Sequence, residues 1–149
     1  MNAVTLELDE EPSAEDLRTI VDGVRAFNKS IIGHGPPRPV ASFLRDEAGR
    51  IVGGAHGELW GRSVHIAAMW VDESQRGKGQ GSALLTAVED YAAANGCTVA
   101  FVETTSFQAR PFYEGLGYRV FGQLEGIDEN TTLFFLRKDL QARRSSGSY

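Results

Sequence analysis

Cysteine is nearly absent from this 149-residue sequence. Cys97 stands alone, so no internal disulfide can form and nothing demands an oxidising compartment. Long apolar runs are absent too: the longest clean one, IAAMWV at 66–71, falls far short of the roughly 18–20 residues of a membrane span. Positive charge is in deficit, with 15 Lys and Arg against 20 Asp and Glu and a formal net charge of −5. A general nucleic-acid or membrane-surface binder needs dense positive charge, so neither partner is expected. The opening MNAVTLELDEE has no basic start leading into an apolar run, as a secretory leader would, and the expectation is a cytoplasmic protein. No repeat and no internal linker interrupts the chain. With 42% hydrophobic and 23% charged residues, the composition is that of an ordinary globular protein. The length suits one domain, placed at 1–140, with a polar, disordered tail at 141–149.

Apolar spacing orders the elements. VTLEL at 4–8 alternates like a half-buried strand. Ser13-x-x-Asp16 then opens a helix over 14–28, with Leu17, Ile20, Val21, Val24 and Phe27 on one face. GHGPPRP at 33–39 is a loop, because its prolines forbid regular structure. Strands follow near 40–46, 50–60 and 63–72, with connections short enough to make them antiparallel neighbours. A helix over 80–95 ends at Gly96, and TVAFVET at 98–104 is apolar enough to predict a strand buried on both faces. A short helix at 108–116 takes Pro111 in its first turn, and strands at 118–124 and 132–138 close the order. The result is an α+β, or mixed α/β, domain in which a meander leads into a right-handed βαβ crossover.

Glycine is what the chain has in excess, 17 residues in all, and Arg76-Gly77-Lys78-Gly79-Gln80-Gly81 places three of them between a strand and a helix start. The first turn of a helix has unpaired N–H groups and the positive end of a dipole. Glycines let those groups converge and let a ligand approach closely. Arg76 and Lys78 add charge, so the natural guest is a phosphate or pyrophosphate. A Walker loop fails because Gly79 follows Lys78, and a dinucleotide fingerprint fails because its third glycine would fall at Ser82 or Leu84.

The loop resembles that of the GNAT superfamily of acyl-CoA-dependent N-acetyltransferases, whose Arg/Gln-x-x-Gly-x-Gly/Ala frame is met by Arg76, Gly79 and Gly81. A strand ending in a bulge is matched by Met69-Trp70-Val71-Asp72. The family's later signature is matched by Ala109, Phe112, Tyr113, Glu114, Gly117 and Tyr118. The resemblance spans roughly 40–138. It implies a central, mostly antiparallel, splayed sheet of about seven strands flanked by helices, with acetyl-CoA as co-substrate. The pantetheine arm would enter the gap between the strands at 63–72 and 98–104, beside Met69, Trp70 and Val71. The pyrophosphate would sit on backbone N–H groups of Arg76, Gly77, Lys78, Gly79, Gln80, Gly81 and Ser82. Phe112 completes the cofactor set. Ser106 stands where the family often has asparagine, and hydrogen bonding to the cofactor and capping of a helix are both open to it.

Acetyl transfer needs a neutral amine, and an amine of pKa near 10.4 is about 4.6 kcal/mol short of neutrality at pH 7. A general base recovers part of that deficit. Glu103, near the end of a strand bordering the gap, is placed first for this role; His65 has a suitable intrinsic pKa, and Asp72 and Glu73 lie beside the loop. The resemblance assigns the thioester oxygen to the N–H of Val71 and the leaving thiolate to Tyr113 as acid. His34, His56 and His65 lack zinc-ligand spacing, so no metal is expected. The acceptor is read as a primary amine of a small molecule, peptide or protein. Glu125, Asp128 and Glu129 form an acidic rim that would favour a cationic acceptor, and strands near 118–138 could pair in a homodimer. The alternative is a non-catalytic acyl-CoA-binding or regulatory domain.

Overall fold

A computed structural model describes residues 2–105 and 109–141. The contacts divide the chain into two compact units, one up to Pro36 and one from Pro37 onward.

In the first unit, α1 runs Ala14–Ile32. Ser13 Oγ accepts the Asp16 N–H at 3.0 Å, the expected N-cap, and Gly33 ends the helix with φ +81. No residue of α1 is buried. The strand expected at 4–8 is not there: Val4, Leu6 and Leu8 are exposed and their backbone joins no ladder. Alternation prepares a face for burial, but a strand exists only where a second strand supplies hydrogen bonds.

The second unit is one sheet with two helices. Its strands are β1 (Arg38–Arg45), β2 (Ile51–Trp60), β3 (Ser63–Val71), β4 (Val99–Thr104), β5 (Arg119–Leu124) and β6 (Leu133–Asp139). They lie in the order β1-β2-β3-β4-β6-β5, six strands against the expected seven or so, the difference being the missing segment at 4–8. Every pairing is antiparallel except β3 with β4, which α2 (Gln80–Ala94) connects. Leu84, Leu85, Val88 and Ala92 of α2 pack on Leu59, Val64, Ile66, Ala100 and Leu136. Burying a side chain such as Leu85 completely contributes about 1.5–3 kcal/mol. Gly57 makes the contact possible, since a Cβ there would lie 2.8 Å from Val88 Cγ1. Gly96 follows the helix with φ +89, while Cys97 N–H donates to Ala92 O and Gly96 N–H to Ala93 O, a Schellman arrangement.

Within this unit β4 is covered on one face rather than two. Ala100 and Val102 are buried, while Val99, Phe101 and Glu103 are only partly so, because in this unit the helices lie on a single face of the sheet. Two features then open the sheet. Ala67 is an extra residue in β3, between Ile66 opposite Gly57 and Ala68 opposite His56. This bulge bends β3 earlier than Met69-Trp70-Val71-Asp72 had suggested. β3 and β4 pair only from Ser63 with Val99 to His65 with Phe101. Beyond that point β3 continues beside β2 to Val71, and β4 continues beside β6 to Thr104, so a gap forms between them.

Candidate active site

The gap is bordered by α3 (Ala109–Gly115) and by the loop that leads into α2. That loop is built tightly. The Asp72 carboxylate accepts the Ser74 N–H and hydroxyl, which holds its pKa below the usual carboxylate range. Asp72 is therefore committed to the turn. Arg76 Nε donates to Val71 O at 3.0 Å, pinning the loop to the end of β3. Gly77 and Gly79 have φ +78 and +73, in the left-handed region where only glycine is at ease. Gly79 is also the N-cap of α2 and offers no side-chain hydrogen bond, leaving first-turn N–H groups for a ligand.

Two adjoining hollows run along this edge. One, of about 340 Å³, is lined by Gln75, Gly77, Gly79, Gln80 and Ser82. The other, of about 440 Å³, is lined by Met69, Trp70, Ala109 and Tyr113. Val71, Arg76, Gly81 and Phe112 border both. A Cβ on Gly81 would enter the crevice 3.4 Å from Met69 Cε and 3.5 Å from the Phe112 ring. Gln80 Oε1 is buried without a hydrogen-bond partner. Two adjoining hollows with Gly81 bordering both, beside the free N–H groups that open α2, fit an extended nucleotide-bearing thioester. Of the expected cofactor residues, Lys78 lines neither hollow, and Ser106 lies outside the described residues. Gln75 is an addition that no motif marked.

Tyr113 is 6% exposed, packs edge-on against Phe112 and Tyr118, and has its Oη 3.9 Å from Met69 Sδ. Burial pushes its phenol above the ordinary value, so it keeps its proton at neutral pH. Asp72 N–H donates to Val52 O on β2, and by antiparallel alternation the N–H of Val71 points the other way, toward the gap.

Glu103 and His65, weighed on sequence as rivals, are partners. His65 Nε2 and Glu103 Oε2 are 2.6 Å apart, and the His65 ring stacks on Phe101 at 4.7 Å. The parallel register sets this, since His65 lies beside Phe101 and Glu103 follows two residues on, just where the strands part. Both side chains are about one-third exposed, at 30% and 33%, and both lie on the sheet face opposite the buried Val64, Ile66 and Val102. Of the acidic rim, Asp128 is occupied in accepting from Asn130 N–H and the Thr131 hydroxyl. Cys97 is buried with Sγ 3.4 Å from Ser63 O, and burial raises its pKa, which suits a structural thiol. Among the described residues no group of three or more His, Cys, Asp and Glu could hold a metal, and no helix is long and apolar enough to cross a membrane.

Residues 5–118 match the acetyltransferase (GNAT) family. The chain belongs to that family. It is 32% identical over 130 residues to the blasticidin-S acetyltransferase of Streptomyces morookaense, covering 83% of this chain and 96% of the relative. An acetyltransferase from Bacillus cereus, known from a crystal structure, is 33% identical with a TM-score of 0.77, covering 90% of this chain and 98% of that one. A crystal structure from Agrobacterium tumefaciens, assigned to the same activity, gives a TM-score of 0.87 at 25% identity, covering 92% and 100%. The mixed, splayed sheet is the family's fold, and the chain is an acetyl-CoA-dependent N-acetyltransferase.

Proposed function

We propose that this GNAT acetyltransferase acetylates the primary amine of a small molecule, with its two functional surfaces on opposite faces of the gap. The carrying observation is the uncapped, glycine-turned start of α2, which opens onto a crevice ending at Tyr113. Bound acetyl-CoA would supply an acyl group activated as a thioester. The first-turn N–H groups at Gln80, Gly81 and Ser82, with Arg76, would hold its phosphates. The Val71 N–H would donate to the oxygen that gains charge as the new C–N bond forms. Tyr113 would hold a proton for the sulfur whose bond to carbon breaks. On the other face, the His65–Glu103 pair would receive the proton that the acceptor's ammonium must lose. A hydrogen-bonded His–carboxylate pair is suited to this, since the carboxylate stabilises the imidazolium that results. The relative named for blasticidin S supports a small-molecule acceptor.

Calorimetric titration with acetyl-CoA tests the donor half. We expect one site per chain, and a loss of at least about tenfold in affinity for Gly81→Val, whose side chain would enter the crevice. Absence of binding by the wild type, or a Gly81→Val variant that binds as well, would overturn the assignment.

A further inference from the structure

The sheet face turned away from α2 carries another hollow, of about 230 Å³. Its walls are Phe43 on β1 and Trp70 on β3, each half exposed at 52% and 51%. Between them, in the same cross-strand row, lies Gly54: Phe43 pairs with Gly54, and Gly54 pairs with Trp70. Adjacent strands are about 4.8 Å apart, so the two aromatic side chains rise from points roughly 10 Å apart. The floor between them has no side chain at Gly54 and only methyl groups at Ala41 and Ala68. A Cβ on Gly54 would already lie 3.5 Å from Phe43 Cδ1. The Arg45 guanidinium sits 5.3 Å from the Phe43 ring centroid, so a cation steadies that wall.

These dimensions suit one kind of occupant. Stacked aromatic rings prefer centroids about 4.5–7 Å apart, and the Phe43 ring leans over Gly54, so a planar ring would stack on the open side of Phe43 or on Trp70. A cavity of about 150 Å³ holds benzene, so 230 Å³ holds a ring with a substituent. Met69 and Trp70, consecutive residues of β3, border both this hollow and the donor crevice. From the slot, acidic groups mark a path: His56 lines it with Nε2 4.0 Å from Glu58 Oε1, and Glu58 lies opposite His65, the partner of Glu103.

We propose that this slot seats the body of the acceptor, and that the acceptor is a primary amine carrying a planar ring. The inference rests on the acetyl-transfer reading above. The test compares 2-phenylethylamine with 2-cyclohexylethylamine, which has similar bulk but no planar ring. Thiol release from acetyl-CoA should give a kcat/KM about tenfold higher for the planar amine, expressed in KM. Phe43→Leu and Trp70→Leu, shown to be folded by their thermal melts, should each bring that ratio toward one. A saturation-transfer NMR experiment reads 2-phenylethylamine binding without turnover, and Phe43→Leu should weaken it. A ratio near one in the wild type, a ratio that neither substitution changes, or no NMR signal overturns the slot. If acetyl-CoA fails to bind while the NMR signal persists, it is the donor-site reading that fails.

Discussion

Glu89 and Glu103 belong to the same unit of the fold, and each makes one hydrogen bond of 2.6 Å, the first to the Tyr118 hydroxyl and the second to His65. Their surroundings differ. The Glu89 side chain is 7% exposed on α2 and also accepts from Lys138 Nζ at 2.9 Å, so both of its oxygens are engaged by the β5–β6 end of the sheet. The Glu103 side chain is 33% exposed, has His65 as its one partner among the described residues, and stands where β3 and β4 part. A buried carboxylate with both oxygens satisfied is a fastener with nothing left to give a substrate. A carboxylate that is one-third exposed and hydrogen-bonded to an imidazole is reachable from solvent and so from a substrate. Comparing the two faces of one sheet thus separates a structural charge from a chemical one, where residue type alone does not.

The sharpest way to break this contrast is Glu89→Ala. It strands the buried Tyr118 hydroxyl and the Lys138 ammonium, and breaking a buried charge pair costs about 3–5 kcal/mol. Lys138 can turn to water, so the lower end, about 3 kcal/mol, is expected, equivalent to a fall in Tm of about 6–12 °C. A calorimetric melt measures it, with kcat per folded molecule near the wild-type value. A loss below about 1 kcal/mol would mean that Glu89 fastens nothing.

Glu103→Gln should do the reverse. It keeps a hydrogen-bonding side chain beside His65 but removes the charge that stabilises its protonated form. We expect kcat/KM at neutral pH to fall about 10²-fold, or about 2.7 kcal/mol, with an altered acidic limb in the pH–rate profile. The stability change should stay within about 1 kcal/mol, the range for partly exposed pairs. If activity and pH profile are unchanged while Tm falls as for Glu89→Ala, the two carboxylates are alike and Glu103 is not the base.

What was legible in the sequence was local. The glycine loop, the Phe112-Tyr113 signature, the Ser13 cap and the Gly96 stop each depend on residues a few positions apart, and each lies where expected. What depends on register was not legible. His65 and Glu103 are 38 positions apart, and only the parallel pairing of β3 with β4 shows them as one group. Glu89 meets partners 29 and 49 positions away and, on a helix, reads as one more polar residue. Phe43 and Trp70 share a slot only because Gly54 lies between them in the ladder. The misreadings at 4–8 and 98–104 have the same origin, because hydrophobicity states what a segment could bury and not what is present to bury it.

Tyr113 and Tyr118 extend the comparison to a neighbouring pair of rings, 5.6 Å apart. Both phenols are pushed up, Tyr113 by burial alone and Tyr118 by burial together with its bond to Glu89. Tyr118 is thereby occupied, while Tyr113 borders the crevice with the Met69 sulfur as the one hydrogen-bonding neighbour of its hydroxyl among the described residues. Tyr113→Phe should lower kcat about tenfold, near 1.4 kcal/mol, with unchanged acetyl-CoA affinity, because a thiolate leaves fairly well unaided. The alkaline side provides a second reading of the same residue. A phenol whose folded pKa is raised adds stability that is complete below the unfolded value near 10 and is lost as pH rises through the folded value. Wild-type stability should therefore fall above pH 10 by about 1.4 kcal/mol per pH unit for each such tyrosine, and Tyr113→Phe should remove one tyrosine's share of that slope. A variant with the wild-type alkaline slope and wild-type kcat would return Tyr113 to the core as a packing ring, leaving the crevice without its acid.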